Sequence, residues 1–591
     1  MHRILHIPAL LAALLLVSCG GAKPLTDKHP EVGDPEVPGR TVTADKRAEV
    51  MRLFMEATQA RLAGHTTKAV QLYQQCLKAD PQNAASMFEL AKLYHQAQSF
   101  PQALDLAKRA VATDKENIWY RFLLADLYRQ SNNPNEAVGV YRGILERWPD
   151  RYEVYLNLAE ALAFAGKPEE AQKVYVQMES RFGLSEEIIA HQFNTLMASG
   201  DLKSAEALVL RAIANHPGEA QYVGMLAELY DHQDEPEKAL EQYNKALALD
   251  PGNSLMRVSL AEHHYANGRM DEAFQELGEA FLDPELDIDA KMHVLIGFFE
   301  MSEREGEGAT SRVELVQRAY GLIEALERAH PESGKPHTIH GDFLLRDGKI
   351  AEAREEFRKA LVFEKERYPI HLQLLQLDLQ LSDNEALAKD AAVAAELFPN
   401  VPEPYLYQGI ALSQMEKYAE AVEPLIAGRD LVIENTPLTA QFWSSLAEAY
   451  NGTKEYTKSD QAYDKALALL PDDANTLNNY AYYLSLRGEN LEKAERMSKR
   501  SNELAPTQPS YQDTYAWVLF RLGRFDQARI WMEKAIAASP VPDGTLLEHY
   551  GDILFELKDI DGALANWRAA KERGGASDAI DRKISEGKRV E

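Results

Sequence analysis

Four histidines are the residues whose type and spacing come nearest to a metal site: the adjacent His263 and His264, and His337 with His340. Three residues apart, His337 and His340 would share one face of a helix, as helix-borne metal ligands do. No carboxylate or third ligand follows either pair at a characteristic spacing. The expectation is therefore packing and surface histidines, with no metal and no other cofactor. The only thiols are Cys19 and Cys76, too few for a disulfide framework or a cysteine-based zinc site. Cys76 stands at a small-residue position of a helical pattern, which predicts a buried and inert thiol. No HExxH, GxSxG or GxxxxGK[ST] occurs, so the chain lacks a metalloprotease helix, a nucleophile elbow and a phosphate cradle. A protein without catalytic activity is expected.

Charge and composition narrow the remaining classes. Lys and Arg number 64 against 92 Asp and Glu, a net charge of -28, and such a field repels a phosphate backbone, so nucleic acid is not expected as a partner. Hydrophobic residues at 45% and charged residues at 26% supply a large core, which argues against wholesale disorder and against a polytopic membrane protein.

Residues 1–18 combine a basic start at Arg3 with an apolar run from Ile4 to Val17, interrupted by His6 and Pro8. That run falls short of the roughly 20 residues needed to cross a bilayer and reads as a secretory signal. Leu16-Val17-Ser18-Cys19 resembles the bacterial lipobox. The resemblance implies cleavage before Cys19 and lipidation of its sulfur, a multi-chain anchor that holds membranes stably. The other reading is an ordinary secreted protein with a chance cysteine. Residues 20–44, rich in Pro, Gly and charge, would form a flexible tether. Gly20 and Gly21 stand where some bacteria place a retention aspartate, which favours outer-membrane sorting towards the periplasm.

From residue 45 the chain repeats. Pro81, Pro149, Pro217 and Pro251 lie 68, 68 and 34 residues apart, multiples of one period in constant phase. Between Ala220 and Asn253 the unit places Leu226, Ala227, Tyr230, Ala239, Tyr243, Ala246 and Pro251. The same types return at Leu124, Ala125, Tyr128, Ala137 and Tyr141, and at Leu446, Ala447, Tyr450, Tyr463 and Ala466. These positions resemble the tetratricopeptide repeat, with about fifteen units between residues 50 and 573. The resemblance implies an all-α fold, an α-solenoid of helix-turn-helix repeats wound as a right-handed superhelix. Small residues let the helices approach, tyrosines fill between them, and proline stops the second helix. Two places break the period. Pro284 and Pro331 are 47 residues apart, the excess including Ser302–Arg312, read as an inserted loop, and about four extra residues lie near Arg429–Thr439. The organisation expected is a signal peptide over 1–18, an anchor and linker over 19–44, and an N-terminal array over 45–300. An irregular inserted or extended repeat region over 301–333, a C-terminal array over 334–575 and a capping tail over 576–591 follow. In that tail Ile580 and Ile584 would face inward.

In this family the first helix of each unit lines the groove, and contacts concentrate at its second, fifth, ninth, twelfth and thirteenth positions. The ninth is Asp126, Glu160, Glu228, Glu262, Asp342, Glu448 and Asp552, an acidic ridge suited to a basic partner segment. The same pattern is also common in such helices simply for solubility. Near the C-terminus Asn475, Asn478, Tyr482, Asp513, Trp517, Phe520, Arg521, Glu548, Asp552 and Phe555 combine aromatics, arginine, amides and carboxylates, the composition of an interaction hot spot. Leu156, Glu160, Gly224 and Glu228 occupy the places of the Lys and Asn that would bind a chaperone C-terminus, which disfavours that ligand. The resemblance implies a non-enzymatic scaffold or adaptor, anchored to the envelope by lipid alone and binding other envelope proteins. Biogenesis, secretion and cell-wall machinery all use proteins of this design. The alternative is a glycan or small-ligand binder using the C-terminal aromatic groove.

Overall fold

The computed structural model describes residues 44–303 and 309–590. The residues expected as a signal segment, Cys19 and nearly all of the segment expected as a tether lie outside the described residues. Within them the chain forms 31 helices, α1 (Ala44–Leu62) to α31 (Ile580–Glu586), fifteen helix-turn-helix pairs followed by one short helix. The chain divides between Ala280 and Phe281 into two compact units.

The helix boundaries follow from local chemistry. Asn83, Asn117 and Asn253 accept hydrogen bonds from the backbone N–H of Ser86, Trp119 and Met256, capping the first helices α3 (Ala84–Gln96), α5 (Ile118–Gln130) and α13 (Ser254–Ala266). Pro134, Pro168 and Pro236 begin the second helices α6 (Pro134–Leu145), α8 (Pro168–Phe182) and α12 (Pro236–Leu249), where the missing N–H costs nothing. Between the two helices of each pair in the first unit, one residue takes the left-handed conformation. These are Gly64, Gln98, Asn132, Gly166, Gly200, Asp234 and Gly268, each 34 residues after the one before.

Within the first unit α1 to α13 pack each on the next in sequence, as do α15 (Ile288–Glu303) to α31 within the second, and first helices also pack side by side, as α7 (Tyr152–Phe164) does with α9 (Glu186–Ser199) and α11 (Ala220–His232) with α13. The small positions close these approaches. Ala227, Ala239 and Ala246 are fully buried beside Tyr243 and Leu260. Where glycine holds the equivalent place the fit is tight: a Cβ at Gly551 would lie 2.4 Å from the Trp567 ring, and one at Gly409 would lie 2.3 Å from Leu425.

Both breaks in the period lengthen helices. Ser302 and Glu303 end α15 (Ile288–Glu303), and residues 309–312 open α16 (Ala309–Ala329), so most of the segment expected as an inserted loop is helical. Residues 304–308 lie outside the described set. Ser302 is buried, its hydroxyl donating to the Phe299 carbonyl at 2.6 Å, which holds the end of α15 in the core. At the second break the surplus extends α23 (Thr436–Gly452), capped by Asn435.

Candidate functional site

The acidic ninth position differs from repeat to repeat in what neutralises it. In the first unit Asp126 accepts from Arg129 at 2.8 Å and from Gln130 at 2.9 Å, so its charge is taken up on its own helix. Glu160 is exposed and stands 3.3 Å from His191 on the next first helix. Glu228 on α11 and Glu262 on α13 pair with no cation among the described residues. Lost hydration, then the charges of Glu262 and Asp231, push Glu228 up to about 7. Glu262 keeps solvent contact overall, but protein crowds its carboxyl, so lost hydration first and Asp231 second raise it above the usual range. Asp231 itself accepts from His263 at 2.6 Å, which gives that histidine a structural partner, while burial lowers His264.

In the second unit Asp342, on α17 (Lys335–Arg346), is pushed up to about 6 by burial. Glu448, on α23, is raised by burial and accepts from Asn479 at 2.8 Å.

The C-terminal residues expected to form an open groove meet the chain's own tail. Lys583 on α31 is buried and reaches Asp552 at 2.7 and 2.8 Å and Glu548 at 2.8 Å, both on α29 (Gly544–Glu556). The Ser577 N–H and hydroxyl also donate to Glu548. Trp567 donates to Asp552 at 2.9 Å. Burial acts to raise Glu548, but the Lys583 and Ser577 donors outweigh it and hold the carboxyl below its usual range. Ile580 is buried, and Ile584 packs on the same cluster.

Of the aromatics, Trp517 on α27 (Pro509–Arg521) is 8% exposed and lies stacked on Phe520 at 4.7 Å and on His549 at 4.0 Å, so little of its face is open. Phe520 is buried beneath Arg589, whose guanidinium sits 5.3 Å from the ring. Asp513 holds His549 at 2.9 Å; burial alone would lower that imidazole, but the Asp513 charge keeps it above its usual value. Asn475 is exposed, and Tyr482, Arg521 and Phe555 are partly so. Asn478 is buried with its side-chain oxygen unpartnered, as is the Trp517 indole N–H. The expected open hot spot is corrected accordingly: Asn478, Trp517, Phe520, Glu548 and Asp552 are inside the fold. Tail residues Lys583, Ser577 and Arg589 were not singled out from the sequence. The inward pair Ile580 and Ile584 was the available signal, since Lys583 lies one position before Ile584 and three after Ile580.

Cys76 is buried, its thiol pointing at the Val50 carbonyl at 3.7 Å, and burial pushes it up, as an inert core thiol requires. His337 and His340, expected to be packing residues, each meet a carboxylate from a flanking helix: His337 lies 2.8 Å from Glu356 and His340 2.9 Å from Glu327.

The architecture defines a class, the all-helical α-solenoid of successive helix pairs. Two family models described as tetratricopeptide repeat match the chain, one over residues 192–254, 406–474 and 515–578 and the other over 60–127, 128–183 and 232–291. The chain is therefore a tetratricopeptide-repeat protein. It is 22% identical over 443 residues to tetratricopeptide repeat protein 21B of Xenopus laevis, covering 60% of this chain and 33% of that protein. It is 25% identical over 212 residues to TPR repeat-containing protein PA4667 of Pseudomonas aeruginosa, covering 35% of each. The chain thus spans about a third of the length of these curated relatives. A tetratricopeptide repeat protein from Parabacteroides merdae, known from its crystal structure, aligns at 17% identity with a TM-score of 0.37, covering 43% of this chain and 99% of that one. Proteins built from these repeats generally act by binding other proteins and are generally not enzymes.

Proposed function

We propose that the chain is a lipid-anchored scaffold of the bacterial envelope, tied through Cys19 to the outer membrane facing the periplasm, that gathers proteins through basic segments laid on its first helices. The observation that carries the reading is the pair Glu228 and Glu262. These carboxyls occupy the same slot of adjacent first helices, meet no cation among the described residues and are raised by lost hydration first, then Glu228 by the charges of Glu262 and Asp231 and Glu262 by that of Asp231. A lysine or arginine brought between them would relieve that cost, as Lys583 does for Glu548 and Asp552. The anchor rests on Leu16-Val17-Ser18-Cys19. No helix among the described residues is long and apolar enough to cross a membrane. Held near the lipid, the array would raise the effective concentration of its partners. A glycan-binding role would need an exposed aromatic platform, and Trp517 is stacked and covered.

The test is recovery of tagged, lipidated protein from gently solubilised envelopes beside a Glu228→Gln/Glu262→Gln variant. Specific proteins retained by the wild type and lost from the variant are the expected result; an unchanged set would remove the acidic pair from the function. Cys19→Ala should release the folded protein from membranes, and continued membrane association would refute the anchor.

A further inference from the structure

The cluster around His337 and His340 brings together more ligand chemistry than the sequence spacing reveals. Glu327 lies in the last turn of α16, the two histidines sit one turn apart on α17, and Glu356 lies on α18 (Ile350–Phe363). His337 Nδ1 is 2.8 Å from Glu356 Oε2 and 3.6 Å from Glu327 Oε1. His340 Nδ1 is 2.9 Å from Glu327 Oε1 and 3.7 Å from Glu356 Oε2. Each imidazole thus faces both carboxylates, and the ligand atoms of Glu327, His337 and Glu356 all fall within 4.8 Å of one another. We propose that Glu327, His337, His340 and Glu356 form a zinc site that ties α16, α17 and α18 together.

Three observations support it. The four nitrogen–oxygen separations bracket the edge of a zinc tetrahedron, roughly 3.3 Å for bonds of about 2.0 Å, so Glu327, His337 and Glu356 already stand close to ligand spacing, and His340, which lies outside the trio held within 4.8 Å, closes in to complete the set. Two imidazoles and two carboxylates form a closed four-ligand set of borderline and hard donors that zinc accepts. The rings are also held in place: His337 stacks on Phe363 with planes 10° apart, and His340 meets Tyr320 edge-on at 5.7 Å. Lys359 binds the other oxygen of Glu356 at 2.7 Å and would remain as an outer partner of the carboxylate. The location gives the site a purpose. His340 occupies the slot that Leu226 fills in another repeat, where leucine is 4% exposed in the core. A polar cluster there forgoes apolar cohesion beside the long α16, and a metal crosslink restores it. On binding, zinc replaces the hydrogen-bonding protons between the imidazoles and carboxylates, and displaced protons pass to solvent or to the opposite ring nitrogen.

The experiment is calorimetric titration of zinc chloride into the untagged full chain after treatment with EDTA, repeated with His337→Gln/His340→Gln. One zinc per chain is expected, with binding weakened by more than about 100-fold in the variant because two of four ligands are gone. Cobalt(II) provides a second readout that needs no variant: a strong visible band of tetrahedral coordination is expected in the wild type. No zinc uptake, equal uptake by a folded variant, or a weak octahedral cobalt spectrum would each overturn the site and leave these residues as His–Glu hydrogen bonds.

Discussion

Glu228 and Asp552 occupy the same position of their first helices, yet one meets no cation among the described residues and the other is closed over by Lys583. Around α11 and α13 the carboxyls crowd each other, and one of them titrates near neutrality. Around α29 the tail supplies an ammonium and a serine, so Glu548 stays ionised although it is buried. Position in the repeat therefore does not decide whether an acidic residue is available. What decides is whether another segment of the chain delivers the compensating charge.

The comparison is broken most directly by Lys583→Met. Removing the ammonium leaves two buried carboxylates unpaired, a change expected to cost about 3–5 kcal/mol locally. Amide hydrogen exchange in α29 and α31 should speed up while α3 to α9 are unaffected. Unchanged protection of α29 would show that the tail does not secure this end.

The second effect is a pH dependence peculiar to the open pair. Glu228 is raised in the folded chain from 4.5 to about 7, so the unfolded chain releases this proton first as pH rises. Its contribution to stability is present below about 4.5 and is lost as pH climbs to about 7. With a discount for partial solvent contact the loss is on the order of 1–2 kcal/mol. Glu228→Gln should remove that slope from thermal unfolding measured between pH 5 and 8. Glu548 has the opposite sign: its carboxyl is lowered, so its contribution is present above the unfolded value and disappears as pH falls through the folded one.

A basic partner sharpens the contrast further. Because lysine or arginine binds the ionised form, a lysine-rich peptide should bind several-fold more tightly at pH 8 than at pH 6, through Glu228 and Glu262, with a clear loss in added salt. Equal affinity at both values, by fluorescence anisotropy, would disconnect binding from this pair.

The smallest effect concerns turns common to both regions. Lys454 and Glu416 adopt φ values of 62° and 59°, where glycine carries no Cβ penalty. Lys454→Gly should raise stability by up to about 1 kcal/mol in denaturant titration, offset in part by the greater freedom of glycine in the unfolded chain.

The repeat architecture was legible because its determinants are local and recur. Ala227, Ala239 and Ala246 announce close helix approach wherever they appear, and Pro81 and Pro251 mark helix ends without knowledge of the neighbours. The surplus around Ser302–Arg312 was misjudged because polar residues with a few glycines read as a loop, whereas much of the segment continues α15 and α16. The groove near Trp517 was misjudged for a different reason. Its closure depends on one lysine in a short terminal helix, reached across 31 residues from Asp552, and no periodic pattern encodes such a contact. Likewise His337 and His340 were visible as a pair, but Glu327 and Glu356 join them only once three helices pack.

The left-handed turns have a consequence for how such a chain can grow. Gly64, Gln98, Asn132, Gly166, Gly200, Asp234 and Gly268 fall at equal intervals, so a block cut between any two of them begins and ends in the same backbone conformation. Duplicating or deleting one such cassette leaves every turn intact and changes only the side chains at a single seam. Past Glu416 the next mark is Lys454, 38 residues on, and cassettes from the two stretches would not be interchangeable. The spacing of these turns is a ruler along which recombination in the first unit stays in register.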